Sequence, residues 1–400
     1  MKLLLLDPGL SSPYGHNAAT VRELDLHARE RAGIALSVAT HERVDPAPLG
    51  ATCCRWLPGL RLHGYARFGS AGVPQATAEA DWREWLALCV QDLERLDLAS
   101  FDGVWMPTAY PLHLAALVQL GVRMPALRVQ VGLLMPPRFW AADGPAGVWL
   151  EGLTCQSLRT AATLANWHIH SESDHVCAGD LRLATPTLLT PLADASRARL
   201  DAQRTHGDTP PAPGSRIRFG FMGEPLARKG FAVVAQALAA GLPPGIDLQL
   251  AMPAHHAARA LVVHGRAPGL HVRPLGTDNS AYFDALNDID VLLALYDPAL
   301  HGEQMSGIVG EAIALGKAVL VGAGCEAILA FLRRWAPGSF RVAPPTAEGL
   351  HAAWQLPPEA WASCRREAMA AAPRVLALKD VARHLRFMRH AADPPDAGRA

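Results

Sequence analysis

The residues best suited to chemistry lie in two short stretches. In the first, GEQMSGIVGEAIALGKAV, Glu303 and Glu311 have seven residues between them and bracket Ser306 and Gly307. A helix starting near Ser306 presents free backbone N–H groups and the positive end of its dipole. That end suits a phosphate, and Gly307 lets a ligand approach the backbone closely. Carboxylates on either side would repel a phosphate but suit hydroxyls, so the pair reads as hydrogen-bond acceptors for a sugar on one side and a ribose on the other. In the second stretch Gly223 and Glu224 are followed by Arg228, Lys229 and Gly230. A charge on a flexible stem at Lys229 suits a phosphate leaving group. The plainer reading is a surface lysine at a helix start, which the helix dipole opposes.

Both stretches need strands to hold them. Val291 to Leu295 is a continuous apolar run, read as a buried parallel strand, and a polar loop through Pro298 and Gly302 follows it. The helix then runs from Ser306, a plausible N-cap by residue type, to Gly316. Ile308, Val309, Ala312, Ile313 and Leu315 form its sheet-facing side, and Ala318 to Val321 is the next strand. Upstream, Ile217 to Phe221 is the strand that delivers Gly223, and Phe231 to Ala240 is the helix after Gly230. Further strands are read at Ile246 to Ala251 and Leu270 to Leu275, the latter opening at Gly276 into a turn and the helix Ala281 to Asn287. His255 and His256 are adjacent and do not share the helical face a two-histidine metal site needs. Asp288 and Asp290 read as a helix end and a strand start, not an acid and base pair.

The amino-terminal half has the same rhythm. Lys2 to Leu6 is a strand, Asp7 to Asn17 a loop holding Gly9, Gly15 and His16, Ala18 to Arg31 a helix, and Ile34 to Ala39 a strand. A doubly wound domain begins this way, with ligands above the carboxyl ends of its strands. Two readings of Gly15 and His16 stand side by side: contact with a bound diphosphate or an acceptor, and a tight turn with a solvated histidine. Arg55 to Phe68 interleaves arginines with aromatic residues and reads as a mobile loop. It either meets a lipid-linked phosphate at a membrane surface or covers a domain edge. Asp81 to Leu98 reads as a core helix with Asp81, Glu84, Asp92, Glu94 and Asp97 on its polar face. Strands at Gly103 to Met106, Ala126 to Leu134, Trp167 to Ser171 and Thr187 to Leu189 complete the first sheet.

Glu303 and Glu311 at this spacing, with Glu-Ala-x-Ala-x-Gly-x-x-Val running from Glu311, resemble the donor-site signature of retaining glycosyltransferases of the GT-B fold, family 4. The resemblance covers residues 217 to 325. It implies that Glu303 holds the donor hexose, Glu311 the nucleotide ribose, and Lys229 the diphosphate, with Gly223 six residues before Lys229 as the family spaces them. It also implies that Gly276 lies where the family binds the nucleotide base. This chain departs from the family at three points. Glu303-Gln304-Met305-Ser306 stands for the usual Glu-Gly-Phe-Gly, and Glu224 stands for an arginine, which Arg228 replaces unless the pocket is altered. The stretch Leu127 to Gly132 also lacks the histidine that many members carry near the reacting sugar.

The implied architecture is α/β, two Rossmann-like doubly wound domains facing across a cleft. Residues 1–195 form an acceptor-side domain, 196–215 a linker, 216–374 a donor domain, and 375–392 a closing helix packing back on the first domain. The tail from Ala391 reads as disordered. The implied activity is transfer of a hexosyl group, with retention, from a nucleotide-diphosphate sugar to a saccharide or lipid-linked acceptor in polysaccharide or glycoconjugate biosynthesis. The competing expectation is a catalytically inactive scaffold acting as a binding or assembly partner. Glu224 and the missing histidine favour it, and Glu303, Glu311 and Lys229 oppose it.

Composition bounds these readings. The 400 residues carry 37 acidic and 37 basic side chains, so no bulk charge points to nucleic acid. No apolar run reaches the ~20 residues of a spanning helix. The 7 cysteines include no Cys-x-x-Cys and no zinc-type spacing. Neither metal nor cofactor is expected, and reduced thiols fit a cytoplasmic protein, at most peripheral to a membrane through residues 55–68.

Overall fold

The computed structural model of the chain describes residues 1–13, 15–31, 33–66, 73–141, 144–173, 187–206, 216–264, 267–276 and 279–388. Described residues of 1–171, 187–194 and 379–388 form one unit, and those of 172–173, 195–206 and 216–378 form a second. Each unit is built on a single six-stranded parallel sheet.

Unit 1 runs β1 (Lys2–Asp7), α1 (Gly15–Glu30), β2 (Ala35–Thr40), β3 (Arg55–Trp56), α2 (Gln75–Arg95), β4 (Gly103–Met106), α3 (Pro111–Arg123), β5 (Val129–Leu133), α4 (Pro145–Thr163) and β6 (Trp167–Ser171). Leu3, Leu4, Leu5 and Leu6 are all fully buried. A strand covered by helices on both faces has no polar side to show, and such a strand sits at the centre of a parallel sheet. The strand order β3-β2-β1-β4-β5-β6 bears this out. The order reverses between β1 and β4, and there the loops at the carboxyl ends part to leave a crevice.

Unit 2 is entered along α5 (Asp194–His206), whose first residue still belongs to unit 1, and runs β7 (Ile217–Met222), α6 (Phe231–Ala239), β8 (Ile246–Pro253), α7 (Ala254–His264), β9 (Leu270–Leu275), α8 (Asn279–Asn287), β10 (Val291–Ala294), α9 (Pro298–His301), α10 (Gly307–Ala314), β11 (Ala318–Gly322), α11 (Glu326–Trp335), β12 (Phe340–Ala343), α12 (Ala347–Trp354) and α13 (Pro358–Leu378). Its sheet order, β12-β11-β10-β7-β8-β9, is that of unit 1, so β7 and β10 flank the reversal. Phe219, Phe221, Leu293 and Leu320 of the sheet pack with Val234, Leu350 and Trp361 of the helices.

Several boundaries differ from the sequence reading. Gly15 and His16 are the first residues of α1, not loop residues, because Gly15 takes φ +82 and opens the helix itself. Asp92 leaves the polar face of α2: it is 2% exposed and bonded by the Arg61 Nε at 2.7 Å. Residues 187–189 form no strand, although the Leu188 N–H bonds the Ser171 carbonyl at 3.0 Å.

The segment read as a mobile loop begins with the edge strand β3, and Leu60 is buried against the sheet. Tyr65 lies against Tyr110 and Trp140 with ring centroids 5.3 and 5.5 Å away. Its residues 67–68 lie outside the described residues, as do 207–215 of the expected linker and the tail from 389. The single closing helix is also two. Lys379 gives its carbonyl to the Leu192 N–H at 2.6 Å, and Asp380 caps α14 (Val381–Leu385) through the Ala382 N–H, so the backbone leaves the helix between Leu378 and Val381. The α14 residues Val381 and Leu385 are buried in the core of unit 1.

Candidate functional site

The site in unit 2 is assembled where the sheet order reverses. Gly223 directly follows β7 with φ +97, and its N–H bonds the Ala251 carbonyl at 2.8 Å. The chain then makes a single 3-10 turn, Ala227–Lys229, ending at Gly230 with φ +75. A Cβ on Gly223 would lie 3.4 Å from the Lys229 Nζ, so the ammonium rests over the backbone at the end of β7. A Cβ on Gly230 would lie 2.0 Å from the Leu295 carbonyl oxygen. Only glycine lets this turn press against the end of β10. The contact is locked by the Asp297 N–H, which donates to the Arg228 carbonyl at 3.0 Å. Burial lowers the pKa of Lys229, with Glu224 opposing the shift and Arg228 adding to it. A cation held partly out of water gains more from an incoming anion than a solvated one does. Glu224 and Arg228 are themselves exposed.

The loop after β10 is not the irregular segment the sequence suggests. Asp297 accepts from the Ala299 N–H at 3.0 Å and caps α9, a one-turn helix. That turn brings in His301, which the sequence reading missed. His301 is 6% exposed, its ring lies 4.5 Å from that of Tyr296, and it hydrogen-bonds the Gln304 backbone. Burial, with the charges of Lys229 and Arg228 beside it, pulls its pKa down to about 4, so the ring is neutral at physiological pH. Glu303 follows two residues later, half-buried.

Ser306 stands at the N-cap of α10 with φ −123 and ψ 119, yet its hydroxyl does not cap. Instead its Oγ pairs with the Tyr296 hydroxyl at 3.2 Å. The Val309 N–H bonds the Ser306 carbonyl at 3.0 Å, while the amides of Gly307 and Ile308 keep no intrahelical acceptor. One turn on, Glu311 accepts from the Tyr282 hydroxyl at 2.5 Å. Gly316 closes the helix with φ +69, as its position suggests.

The structure therefore brings Gly223, Arg228, Lys229, Glu303, Ser306 and Gly307 onto the two loops of one strand pair. Gly276 is not among them. It follows β9, two strands from β7 and so about 10 Å away in the sheet, and it is exposed. Residues 277–278 of its turn lie outside the described residues. What returns from this side is Tyr282 of α8, the partner of Glu311.

Unit 1 holds Gly15 and His16 at the start of α1, with the Thr20 hydroxyl bonded to the His16 carbonyl at 2.8 Å. Asp7 is a further polar residue of this unit, one that its place at the head of the glycine loop does not single out. This acid closes β1 at the reversal of the sheet and is fully buried, and burial raises its pKa to about 6 against its hydrogen bonds. The Asn17 amide donates to its two oxygens at 2.7 and 2.9 Å, and the Tyr110 hydroxyl lies 3.3 Å from it. The signal was legible as a lone acid ending a leucine strand. At Gly132, in the stretch without a histidine, no side chain fits: a Cβ there would lie 2.0 Å from the Pro107 carbonyl oxygen. On the neighbouring strand His170 stands in register with Gly132 and is 7% exposed.

Two parallel six-stranded sheets with helices around them, each reversing at its first and fourth strands, define the GT-B fold. No protein-family model matches the chain, and no curated protein sequence matches it. Solved structures do. HepE from Anabaena, in complex with UDP and glucose, is 16% identical with a TM-score of 0.56, covering 96% of this chain and 99% of that one. Sucrose-phosphate synthase from Thermosynechococcus elongatus is 15% identical with a TM-score of 0.58, covering 95% of each. UDP-GlcNAc 2-epimerase from Neisseria meningitidis, bound to UDP-GlcNAc, is 12% identical with a TM-score of 0.54, covering 97% of this chain and 100% of that one. At such identities the likeness is one of fold, and the fold serves more than one reaction.

Proposed function

We propose that the chain is a retaining glycosyltransferase that moves a hexosyl group from a nucleoside-diphosphate sugar to a saccharide or lipid-linked acceptor in polysaccharide or glycoconjugate biosynthesis. The observation that carries the reading is the placement of Lys229. Its ammonium is half-buried over Gly223, on a turn bonded to the loop that bears Glu303 and leads into α10. As the bond from the anomeric carbon to the diphosphate breaks, its electron pair leaves with the phosphate. Lys229 and the amides of Gly307 and Ile308 meet that growing charge, and stabilisation specific to the transition state raises the rate. Arg228 adds positive potential, Glu303 accepts from hexose hydroxyls, and Glu311, oriented by Tyr282, accepts from the ribose. Gly276 borders the base, and Gly15 and His16 serve the acceptor or the donor from unit 1. The sugar nucleotide is a substrate, and the reading calls for no resident cofactor. Two relatives in fold support the choice of ligand, since HepE was solved with UDP and glucose and the epimerase with UDP-GlcNAc.

Membrane contact through residues 55–68 is not part of the proposal. Arg61 is tied to the buried Asp92, and Tyr65 packs beside Tyr110, so the side chains it rests on are engaged within the unit. Among the described residues no helix is long and apolar enough to cross a membrane.

The test is binding of UDP, GDP, ADP and their sugar conjugates to the purified chain by thermal shift, repeated with Glu311→Ala. One nucleotide should stabilise the wild type and lose that effect in the variant. With the donor so named, Glu303→Gln should lower turnover by about one to two orders of magnitude, the worth of a charged hydrogen bond of ~1.5 to 3 kcal/mol. No shift with any nucleotide would overturn the reading in favour of a scaffold without turnover.

A further inference from the structure

A second cluster of ligand-type side chains lies in unit 1, apart from the residues discussed so far. His27 and Glu30 are three positions apart near the end of α1, so both leave the helix on the same side. Asp194, where the chain leaves unit 1, meets them there. One ligand-capable atom from each of the three lies within 4.8 Å of the other two. The sequence hides this arrangement, because Asp194 lies 164 positions from Glu30.

His27 makes the cluster more than a pair of surface acids. It is 1% exposed, and neither ring nitrogen has a hydrogen-bond partner among the described residues. A neutral imidazole always carries one N–H donor and one lone pair, and burying both without partners is unfavourable. A proton on the lone pair would bring charge into the interior, and burial indeed lowers the pKa of His27 although Asp194 favours the charged ring. A cation shared with two carboxylates satisfies the lone pair without leaving an isolated charge, and a neutral imidazole is the form that ligates.

We propose that His27, Glu30 and Asp194 bind a divalent transition-metal ion, with zinc as the ion their ligand set fits. One imidazole, two carboxylates and a water complete the four-coordinate shell that zinc prefers. Ligand atoms around zinc stand about 3.4 Å apart, given bonds of about 2.0 to 2.2 Å. Small rotations reach that spacing, because Glu30 is exposed and Asp194 half-exposed.

One competitor is already in place. Arg31 lies 2.6 Å from Asp194 with its own side chain 57% exposed, so it can turn outward into water when the ion enters. Asp380, which acts electrostatically on both His27 and Arg31, adds negative potential that favours a cation. Neighbouring bonds show what the ion would hold. The Ala193 N–H donates to Glu23 and the Asp194 N–H to Glu30, at 2.9 and 3.2 Å. An ion at this point ties the exit segment of unit 1 to α1 by a third link.

The experiment is titration of the untagged, chelator-treated full chain with cobalt(II), read by the visible absorption of tetrahedral cobalt, with zinc as competitor. The wild type should take up one equivalent with a tetrahedral spectrum, displaced by zinc, and zinc should raise its Tm. His27→Asn should weaken uptake at least tenfold and abolish the Tm gain. Arg31→Ala, an exposed change that spares the fold, should tighten uptake about fivefold by removing the competing cation. The proposal is overturned if no tetrahedral spectrum appears, or if His27→Asn leaves uptake unchanged. Should His27→Asn not fold, Arg31→Ala and Glu30→Gln decide: unchanged or weaker uptake in the first, or unchanged uptake in the second, also overturns it.

Discussion

Gly230 is the residue on which the candidate donor site most visibly depends, and replacing it by alanine separates two effects that usually come together. With φ +75 the position disfavours any side chain, by roughly 1–2 kcal/mol. Gly241 has φ +93, but an added methyl carbon there would meet nothing within 4 Å, so Gly241→Ala carries that backbone term alone. At Gly230 the added carbon would meet the Leu295 oxygen at 2.0 Å, which backbone cannot absorb. The turn must retreat by more than about 1 Å. Retreat breaks the Arg228 to Asp297 hydrogen bond, worth about 1 kcal/mol, and adds overpacking of about 1–3 kcal/mol.

Gly241→Ala should therefore lower the Tm by about 2–8 °C, and Gly230→Ala by clearly more. The decisive readout is nucleotide binding by calorimetry. Displacing Lys229 removes a charged contact of about 1.5–3 kcal/mol, so Gly230→Ala should bind the preferred nucleotide about 10- to 150-fold more weakly, while Gly241→Ala binds as the wild type does. Equal affinity in the two variants would refute the claim that this turn sets the phosphate site.

Tyr282→Phe removes the hydroxyl that bonds Glu311 at 2.5 Å, and donor KM should rise about tenfold with kcat nearly unchanged. If Glu311 reads the ribose, a dideoxy nucleotide should bind Tyr282→Phe and wild type alike, and a persistent difference between them would count against that role. Asp7 predicts a pH effect. Its pKa rises from the ordinary 3.8 to about 6, so its contribution to stability is fully present below pH 3.8 and is lost as pH rises through 6. That loss is about 3 kcal/mol in full, of which about 1 kcal/mol has already gone by pH 4.5, and the bond from Asn17 that asparagine forfeits offsets the variant equally at both pH values. In urea unfolding, Asp7→Asn should gain about 2 kcal/mol on the wild type between pH 4.5 and pH 8, and parallel pH profiles would contradict the burial argument.

The parts of the fold that could be read in the sequence are those set by neighbours along the chain. The apolar run at β10, the sheet-facing side of α10 and the left-handed glycine at 316 are each local patterns, and each lies where expected. What escaped was set by partners far away. The charge of Asp92 reads as solvent-facing until Arg61, 31 positions away, comes to meet it. Asp7 looks like the end of a strand until Tyr110, 103 positions on, closes over it. Tyr282 and Glu311 are 29 positions apart on different helices. The start of α1 was misplaced for another reason: glycine is a poor helix former, and its use at the first turn depends on φ, which no periodicity reports.

The two sheets share one strand order, so the residues that close their first strands can be compared directly. Unit 1 ends β1 on Asp7, whose pKa burial raises. Unit 2 ends β7 beside Lys229, whose pKa burial lowers. Burial disfavours the charge in both cases, and the two groups find relief in different partners. A dehydrated ammonium gains most from an anion, whereas a dehydrated carboxylate repels one and gains from hydroxyl donors. Under the proposed activity the diphosphate therefore belongs on unit 2, because Asp7 is fully buried and already takes its donors from the Asn17 amide, the Tyr110 hydroxyl and the Gly9 N–H. A phosphate near the end of β1 would meet the potential of that carboxylate and leave Lys229 without an anion, and both outcomes are unfavourable.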